Sequence, residues 1–422
     1  MHNLHSFKDV RRILGQFVPP ARDFRAKYTL ATMHALMDML GNPQNTYKVI
    51  HIAGTSGKTS TSYYIASLLQ QTRVKVGLTV SPYVDEVNER LQIDLVPMPE
   101  AEFCKELSEF LEIVEKTRIK PTYFELLIAF AYWEFARQDV DYAVVEVGLG
   151  GLLDGTNVVD NPDKVCVITD IGLDHTNVLG KTLPDIAAQK AGIITDHNAV
   201  FCYRQRSGVM KAIKTRCATQ HAQLYEVTPP DTSTLPGELP LFQRHNWYLA
   251  RIVTEYLVQR DQLLSLTTQQ LKQSIRTYIP ARMEIIKIGG KTIILDGAHN
   301  PQKLHALVQS LQAKFPGKKM VVLMALLSGK DLNLDDIAKE IQPVVASLIT
   351  TSFAAQQDMP RGSIDPKELM KAAKTSGVKA EVVEDPKEAF NSIMKSKEPI
   401  ILVTGSFYLL NHIRPLIFVD NQ

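Results

Sequence analysis

The stretch YKVIHIAGTSGKTSTSYYIASLLQ, residues 47–70, is the most informative part of this chain for predicting its fold. It begins with an apolar, β-branched run, passes through the glycine-containing loop AGTSGKTS and continues as a helix after Lys58. A buried strand, such a loop and a helix in this order predict a phosphate site, because loop amides and the helix N-terminus attract an anion. The spacing is not that of a Walker A loop, which would need a glycine where Ile52 stands.

Composition excludes several classes of protein. The chain has 422 residues, of which 45% are hydrophobic and 22% charged, and 47 basic against 45 acidic residues leave a formal charge of +2. This length predicts two or three domains, and the balanced charge predicts neither a nucleic-acid nor a membrane partner. The N-terminus lacks the uninterrupted apolar core of a secretory signal, and no apolar stretch is long enough to span a bilayer. The four cysteines have no CxxC spacing that would indicate a disulfide framework or a zinc site, so we expect a cytoplasmic protein.

Apolar runs outside the opening stretch predict the fold class. Four of them alternate with helical segments in the first part of the chain: residues 75–80, 142–148, 164–172 and 199–203. Strands with almost no polar alternation, separated by helices, are typical of a parallel sheet buried on both faces. After a hairpin predicted at Gly289-Gly290, strands and helices alternate again. The sequence therefore predicts an α/β protein: a doubly wound, mostly parallel phosphate-loop domain with an N-terminal helical segment (1–283) and a smaller Rossmann-like α/β domain (284–422).

The loop itself offers three kinds of group to a phosphate. Gly54 and Gly57 allow the backbone to approach an anion, Lys58 supplies a point charge, and Thr59 or Ser60 can offer a hydroxyl to Mg²⁺. The alternative is a glycine-rich turn that binds no ligand.

Polar side chains at the ends of predicted strands are further candidates. Glu146 ends a strand and is followed by glycines, a position at which a carboxylate can hold a hard cation. The alternative is a solvated glutamate at the rim. His175 follows the next strand, and it is either a metal ligand or a structural hydrogen-bonding residue. Lys190 lies in the last turn of a helix predicted to begin at Thr182, where it could also be a surface lysine favoured by the helix dipole.

The second domain repeats the pattern of a strand that ends in a carboxylate. Asp296 is followed by Gly297, His299 and Asn300. Arg282 lies at the domain junction, where it could either stabilise a transferring phosphoryl group or form an interdomain salt bridge.

Ten motifs in order resemble those of the folylpolyglutamate synthase and dihydrofolate synthase family, within the Mur ligase superfamily of ATP-dependent amide-forming ligases. That superfamily has a shortened loop of the form G-T-x-G-K-[TG]-[ST], which residues 54–60 match. Besides this loop, the ten motifs are SPY…NER (81–90), TYFE (122–125), EVGLGGLLDGTNV (146–158), LDHTNVLG (173–180), QKAGI (189–193), Asn246, PARME (280–284), LDGAHNP (295–301), GKD (329–331) and VTGSFYLL (403–410).

The resemblance implies roles for individual residues. The implied ATP-binding residues are Gly54, Thr55, Gly57, Lys58, Thr59, Ser60, Asn246, Arg282, Asp296 and His299. One Mg²⁺ would be held by Ser81 and Glu146 and a second by His175, with Lys190 carbamylated to N6-carboxylysine. Lys58, Lys190, His175 and Arg282 would serve catalysis. The pterin side of the substrate would contact Thr122, Tyr123, Phe124, Leu153, Asp154 and Gly155.

The implied reaction is the ATP-dependent joining of L-glutamate to dihydropteroate, to folate polyglutamates, or to both, through an acyl phosphate. The implied partners are ATP, L-glutamate and a pteroate or folate, and we expect a monomer. Thr59 stands where the folate branch usually has glycine, and Asp85 and Glu86 lie in a loop expected near the pterin. A Mur-type ligase of a different carboxylate or amino acid is therefore an alternative. A catalytically inactive nucleotide-binding regulator is another, although Lys58 and the other implied catalytic residues are all present.

Overall fold

A computed structural model describes residues 3–19, 29–231, 235–329, 332–355 and 361–419. The chain forms two compact units: Met1–Pro236 with Gln243–Thr277, and Gly237–Phe242 with Tyr278–Gln422. The division at 283/284 stays a prediction. Residues 330 and 331 of the GKD motif lie outside the described residues.

The first unit contains an eight-stranded sheet. Its strands are β1 (Lys48–Ala53), β2 (Val76–Thr79), β3 (Gln92–Ile93), β4 (Val96–Pro97), β5 (Tyr142–Glu146), β6 (Val165–Ile168), β7 (Ala199–Tyr203) and β8 (Gln223–Val227). They lie in the order β4-β3-β2-β5-β1-β6-β7-β8. In that order, neighbouring strands from β2 to β8 pair in parallel, whereas β3 pairs antiparallel with both β2 and β4. Residues of β1, β5, β6 and β7 are almost all buried, as strands covered on both faces require.

Ten helices lie in the described residues up to 277. They are α1 (Phe7–Leu14), α2 (Ala31–Met39), α3 (Lys58–Gln70), α4 (Glu100–Lys116), α5 (Tyr123–Arg137), α6 (Thr176–Leu179), α7 (Leu183–Ala191), α8 (Ser207–Thr219), α9 (Leu241–Arg260) and α10 (Thr268–Ser274). Reciprocal capping by Thr122 with Glu125 and by Thr182 with Asp185 sets the first residues of α5 and α7. The start of α7 at Thr182 is therefore confirmed.

The second unit contains a six-stranded sheet and a short separate pair. The strands are β9 (Glu284–Ile288), β10 (Lys291–Leu295), β11 (Met320–Met324), β12 (Val345–Thr350), β13 (Ala354–Ala355), β14 (Arg361–Gly362), β15 (Ala380–Val382) and β16 (Ile400–Thr404). The six lie in the order β15-β12-β11-β16-β10-β9, and only β9 is antiparallel to its neighbour. Its helices among the described residues are α11 (Pro301–Lys314), α12 (Leu334–Ile341), α13 (Pro366–Thr375), α14 (Pro386–Met394) and α15 (Phe407–Val419).

The predicted hairpin and fold class are both confirmed. Gly289 and Gly290 join β9 to β10, with φ of 54° and 74° that suit the two central residues of a tight hairpin turn. Two mostly parallel sheets, one larger and one smaller, make the chain an α/β protein. Within the described ranges, no helix combines the length and apolar character needed to cross a membrane.

Candidate functional site

The phosphate loop is pressed against the residues that follow β6. Gly54 has φ of 157°, and a Cβ atom there would lie 1.8 Å from Oγ1 of Thr169. The Thr169 hydroxyl donates to the carbonyl oxygen of Ser56 at 2.7 Å. No side chain fits at Gly54 without displacing Thr169, so the close approach of the two segments requires glycine.

Backbone hydrogen bonds hold the same loop in place. The amides of Thr55 and Ser56 donate to the carbonyl oxygen of Asp170 at 2.8 and 3.2 Å. The Thr55 hydroxyl donates to the carbonyl oxygen of Gly172 at 3.0 Å. The loop is thus braced before any ligand arrives, which lowers the entropic cost of binding an anion. The sequence did not predict this role of residues 169–172. The signal for it was the pair of polar residues, Thr169 and Asp170, that directly follows β6.

Gly57 and Asn246 meet at the start of α3. Gly57 has φ of 87°, and a Cβ atom there would lie 2.4 Å from Oδ1 of Asn246. Asn246 is buried on α9, and its amide nitrogen donates to Oε1 of Gln243 at 3.4 Å. The asparagine expected to contact adenine therefore lies directly beside the loop expected to bind the phosphates.

Glu146 brings three of the predicted residues together. Oε1 of its carboxylate accepts a hydrogen bond from the Thr59 hydroxyl at 2.9 Å and lies 4.0 Å from Nζ of Lys58. Oε2 accepts a hydrogen bond from the backbone amide of Ser81 at 3.4 Å. Because Glu146 is only 2% exposed, the alternative of a solvated rim glutamate is wrong. The buried carboxylate and the Thr59 hydroxyl are oxygen donors, the ligand type that Mg²⁺ takes, so they fit the ion, whereas Ser81 contacts the carboxylate here through its backbone amide.

Lys190 is buried beneath the loop. Its ammonium donates to the carbonyl oxygen of Gly54 at 2.8 Å, and the residue is 5% exposed. Because the residue is buried, the alternative of a surface lysine is wrong. The hydrogen bond to Gly54 offsets part of the cost of removing the ammonium from water. His175 has φ of 50° and precedes α6, with Nε2 at 3.7 Å from Oδ1 of Asp174. Its metal role stays a prediction.

The two segments expected on the pterin side meet through Phe124. A Cβ atom at Gly148 would lie 2.5 Å from Cζ of Phe124, and one at Gly155 would lie 3.4 Å from its Cδ1. Asp154 shapes the glycine-rich segment: it accepts the amide of Leu149 at 2.7 Å and that of Thr156 at 3.0 Å. Burial raises the pKa of the Asp154 carboxyl, while these hydrogen bonds act in the opposite direction.

The predicted residues of the second unit surround Asp296. This buried carboxylate accepts the amides of Met283 and Ala298, both at 2.8 Å. Burial raises its pKa to about 6, and the positive charge of Arg282 opposes that shift. The Arg282 guanidinium lies 4.2 Å from the centre of the Phe407 ring. Phe407 also leaves no room at Gly297, where a Cβ atom would lie 2.2 Å from its Cζ.

His299, which follows Asp296 and Gly297, has both ring nitrogens engaged. Nδ1 donates to the carbonyl oxygen of Gly297 at 2.8 Å, and Nε2 accepts from the Lys303 ammonium at 3.0 Å. One nitrogen faces an acceptor and the other a cationic donor, so this arrangement selects the neutral Nδ1–H tautomer.

Comparison with known proteins gives matches over nearly the whole chain. Residues 52–228 match the Mur ligase middle domain, and residues 281–407 match the Mur ligase glutamate ligase domain. The dihydrofolate synthase/folylpolyglutamate synthase of Bacillus subtilis is 30% identical over 423 residues, covering 93% of this chain and 95% of the relative. The dihydrofolate synthetase of Saccharomyces cerevisiae is 32% identical over 413 residues, covering 90% and 95%.

Solved structures agree with the sequence matches. The folylpolyglutamate synthase of Mycobacterium tuberculosis, solved with ADP and AMPPCP, has a TM-score of 0.83 at 28% identity and covers 97% of this chain and 98% of its own. The folylpolyglutamate synthase of Thermotoga maritima has a TM-score of 0.78 at 27% identity, with coverage of 98% and 97%.

Proposed function

The chain belongs to the folylpolyglutamate synthase and dihydrofolate synthase family of Mur ligases, and from this we propose that it is an ATP-dependent ligase. It joins L-glutamate to dihydropteroate, to folate polyglutamates, or to both. The observation that carries the proposal is the convergence of Lys58, Thr59 and Ser81 on the buried carboxylate of Glu146.

The residues suit a reaction that needs no protein nucleophile. A carboxylate oxygen of the pteroate or folate attacks the γ-phosphorus of ATP, ADP leaves, and an acyl phosphate forms. The amino group of L-glutamate then attacks the acyl carbon and releases a proton to solvent as the amide bond forms, and phosphate leaves with the bonding electron pair. Two anions must be brought together in the first step, so positioning and charge neutralisation are the main tasks of the protein.

Each group of residues takes one of those tasks. The loop amides around Gly57 and the ammonium of Lys58 hold the phosphates, and Asn246 contacts the adenine. Arg282, Asp296 and His299 of the second unit act on the nucleotide. The segments 122–124 and 153–155, which Phe124 joins, bind the pterin side of the acceptor.

Magnesium belongs to the same proposal. Ser81 and Glu146 would hold one Mg²⁺, which when bound neutralises phosphate charge. His175 and a carbamylated Lys190 would hold a second. Carbamylation is compatible with the observed geometry, because a carbamate nitrogen retains one N–H that can still donate to the Gly54 carbonyl, now at 2.8 Å from Nζ.

A phosphate-release assay tests the function directly. The full chain is supplied with ATP, Mg²⁺ and L-glutamate, and dihydropteroate, tetrahydrofolate and a UDP-linked acceptor are offered in parallel. We expect release with one or both pterin acceptors, accompanied by a product that is heavier by one glutamyl residue. Stimulation only by the UDP-linked acid would indicate a Mur-type ligase of another carboxylate, and ATP binding without turnover would indicate a regulator.

The Lys58→Ala variant separates loop chemistry from background hydrolysis. We expect it to lose ATP-dependent phosphate release, whereas Lys105→Ala, which removes a largely exposed lysine on α4, should behave as the parent chain. Retained turnover in Lys58→Ala would refute the assignment of the loop.

A further inference from the structure

Asp196, His197 and His221 form a cluster on two turns of the first unit. Asp196 and His197 lie between α7 and β7, and His221 lies between α8 and β8. β7 and β8 are parallel neighbours, with Ala199 opposite Gln223, so both turns enter the sheet side by side. The amide of His197 donates to the carbonyl oxygen of Gln220 at 2.9 Å, which ties the two turns together.

The three side chains converge on one carboxylate oxygen. Nδ1 of His197 lies 2.9 Å from Oδ1 of Asp196, and Nδ1 of His221 lies 3.2 Å from the same atom. The imidazole rings are 5.6 Å apart, centre to centre, and tilted by 38°. One potential ligand atom from each residue falls within 4.8 Å of the other two.

We propose that Asp196, His197 and His221 bind a divalent transition-metal ion of the Zn²⁺ class. In a tetrahedral site with bonds of about 2.0–2.1 Å, neighbouring ligand atoms lie about 3.3 Å apart. The two nitrogen–oxygen distances, 2.9 and 3.2 Å, are within a few tenths of an ångström of that value, so two of the three ligand spacings already suit an ion.

The ligand types set the class of ion. Two imidazoles and a carboxylate favour Zn²⁺, Co²⁺, Ni²⁺ or Cu²⁺, whereas Mg²⁺ prefers an all-oxygen shell. Three protein ligands also leave a coordination position for water or for a donor from outside the chain.

The position in the fold separates this site from the ligase reaction. Glu146 ends β5 at the carboxyl edge of the parallel strands, whereas Asp196, His197 and His221 precede the amino ends of β7 and β8. The bound ion joins the starts of two adjacent strands, and it stabilises the folded chain because the three ligands are brought together only on folding.

Calorimetric titration of the full chain with Zn²⁺ tests the proposal. The protein is first stripped with a chelator and kept in excess Mg²⁺, so that hard-cation sites are saturated. We expect one equivalent of Zn²⁺ to bind and the midpoint of thermal unfolding to rise with Zn²⁺ concentration. In His221→Gln and His197→Gln the affinity should fall by about tenfold or more and the thermal shift should disappear.

Two further variants keep the outcome unambiguous. His305→Gln removes an exposed histidine that pairs with Glu340, and it should bind Zn²⁺ as the parent chain does. Glu146→Gln tests whether Zn²⁺ binds instead near the phosphate loop, because it removes the buried carboxylate of that region. The proposal is overturned if binding and the thermal shift survive in both His197→Gln and His221→Gln, or if Glu146→Gln alone removes them. Circular dichroism confirms folding, and Asp196→Asn replaces any histidine variant that fails to fold.

Discussion

Gly57 and Asn246 are 189 positions apart in the chain, from 57 to 246, yet they are packed so closely that a Cβ atom on Gly57 would lie 2.4 Å from Oδ1 of Asn246. Gly57 also has φ of 87°, a left-handed backbone that side chains rarely adopt. Two independent features therefore require glycine at position 57: the left-handed backbone conformation and the close packing of the Asn246 side chain.

The variant Gly57→Ala should lose most of its ATP affinity. The left-handed backbone costs an alanine about 1–2 kcal/mol, and the clash with Asn246 displaces either the loop or α9. Isothermal titration with a non-hydrolysable ATP analogue measures the effect.

The double variant Gly57→Ala with Asn246→Ala apportions that cost. It should recover the folding stability lost to the clash but not the part that comes from the backbone, as chemical denaturation of the four chains in the cycle would show. If Gly57→Ala binds the analogue as tightly as the parent chain does, the close contact between Gly57 and Asn246 is not needed for nucleotide binding.

Lys190 should be required for turnover. Lys190→Ala removes the hydrogen bond to the Gly54 carbonyl and any carbamate on Nζ, so we expect kcat to fall on the order of a hundredfold through misplacement of the loop. Short carboxylates added to the solution should partly restore activity by occupying the space of the carbamate. Lys181→Ala, at an exposed lysine just before α7, should show neither loss nor rescue. Full activity in Lys190→Ala would remove the lysine from the mechanism.

Arg282 should act on the transition state more than on ATP binding. Arg282→Ala removes a cation that lies 4.2 Å above the Phe407 ring, and we expect kcat to fall on the order of a thousandfold with a smaller change in ATP affinity. Arg282→Lys keeps the charge without the planar stacking, so its kcat should lie between those of the parent chain and of Arg282→Ala. Arg251→Ala, which removes a guanidinium 6.0 Å from the Trp247 ring on α9, is the matched control. A larger effect on affinity than on kcat would indicate a ground-state role.

Glu134 should make folding stability depend on pH. Burial on α5, together with the nearby Glu106 carboxylate, raises the pKa of Glu134 from 4.5 to about 7, and Arg137 only partly opposes this. Because the folded-state pKa is raised, the unfolded chain loses this proton first. The contribution of Glu134 to stability is therefore fully present below pH 4.5 and is lost as pH rises through 7, by at most about 3 kcal/mol.

Urea denaturation of Glu134→Gln across the pH range measures the contribution of Glu134 to the free energy of unfolding. The variant should gain stability relative to the parent chain as pH rises from 5 to 8, because glutamine cannot ionise. Glu109→Gln, which alters a half-exposed partner of Arg137, should show little pH-dependent difference. A Glu134→Gln difference that stays constant with pH would contradict the raised pKa.

Much of the fold could be predicted because its signals are local. The apolar runs that become β1, β5, β6 and β7 lie in consecutive stretches of sequence, and the capping residues of α7 are three positions apart. Glu146 could be placed at a strand end for the same reason. Its burial could not be predicted, because it depends on the neighbouring strands and on the loop at Lys58 and Thr59.

Three features can be inferred from the sequence alone: the strand, loop and helix of residues 47–70, the alternation that gives two α/β sheets, and the motifs that indicate a ligase. The three-dimensional packing is needed to show that Lys190 is buried beneath Gly54, that Asn246 meets Gly57, and that Phe407 covers Gly297. Periodicity reports which face of an element is apolar. The order of the parallel strands and the close packing of their connections determine which distant residues meet. Both depend on several distant segments at once, so no single stretch of sequence predicts them.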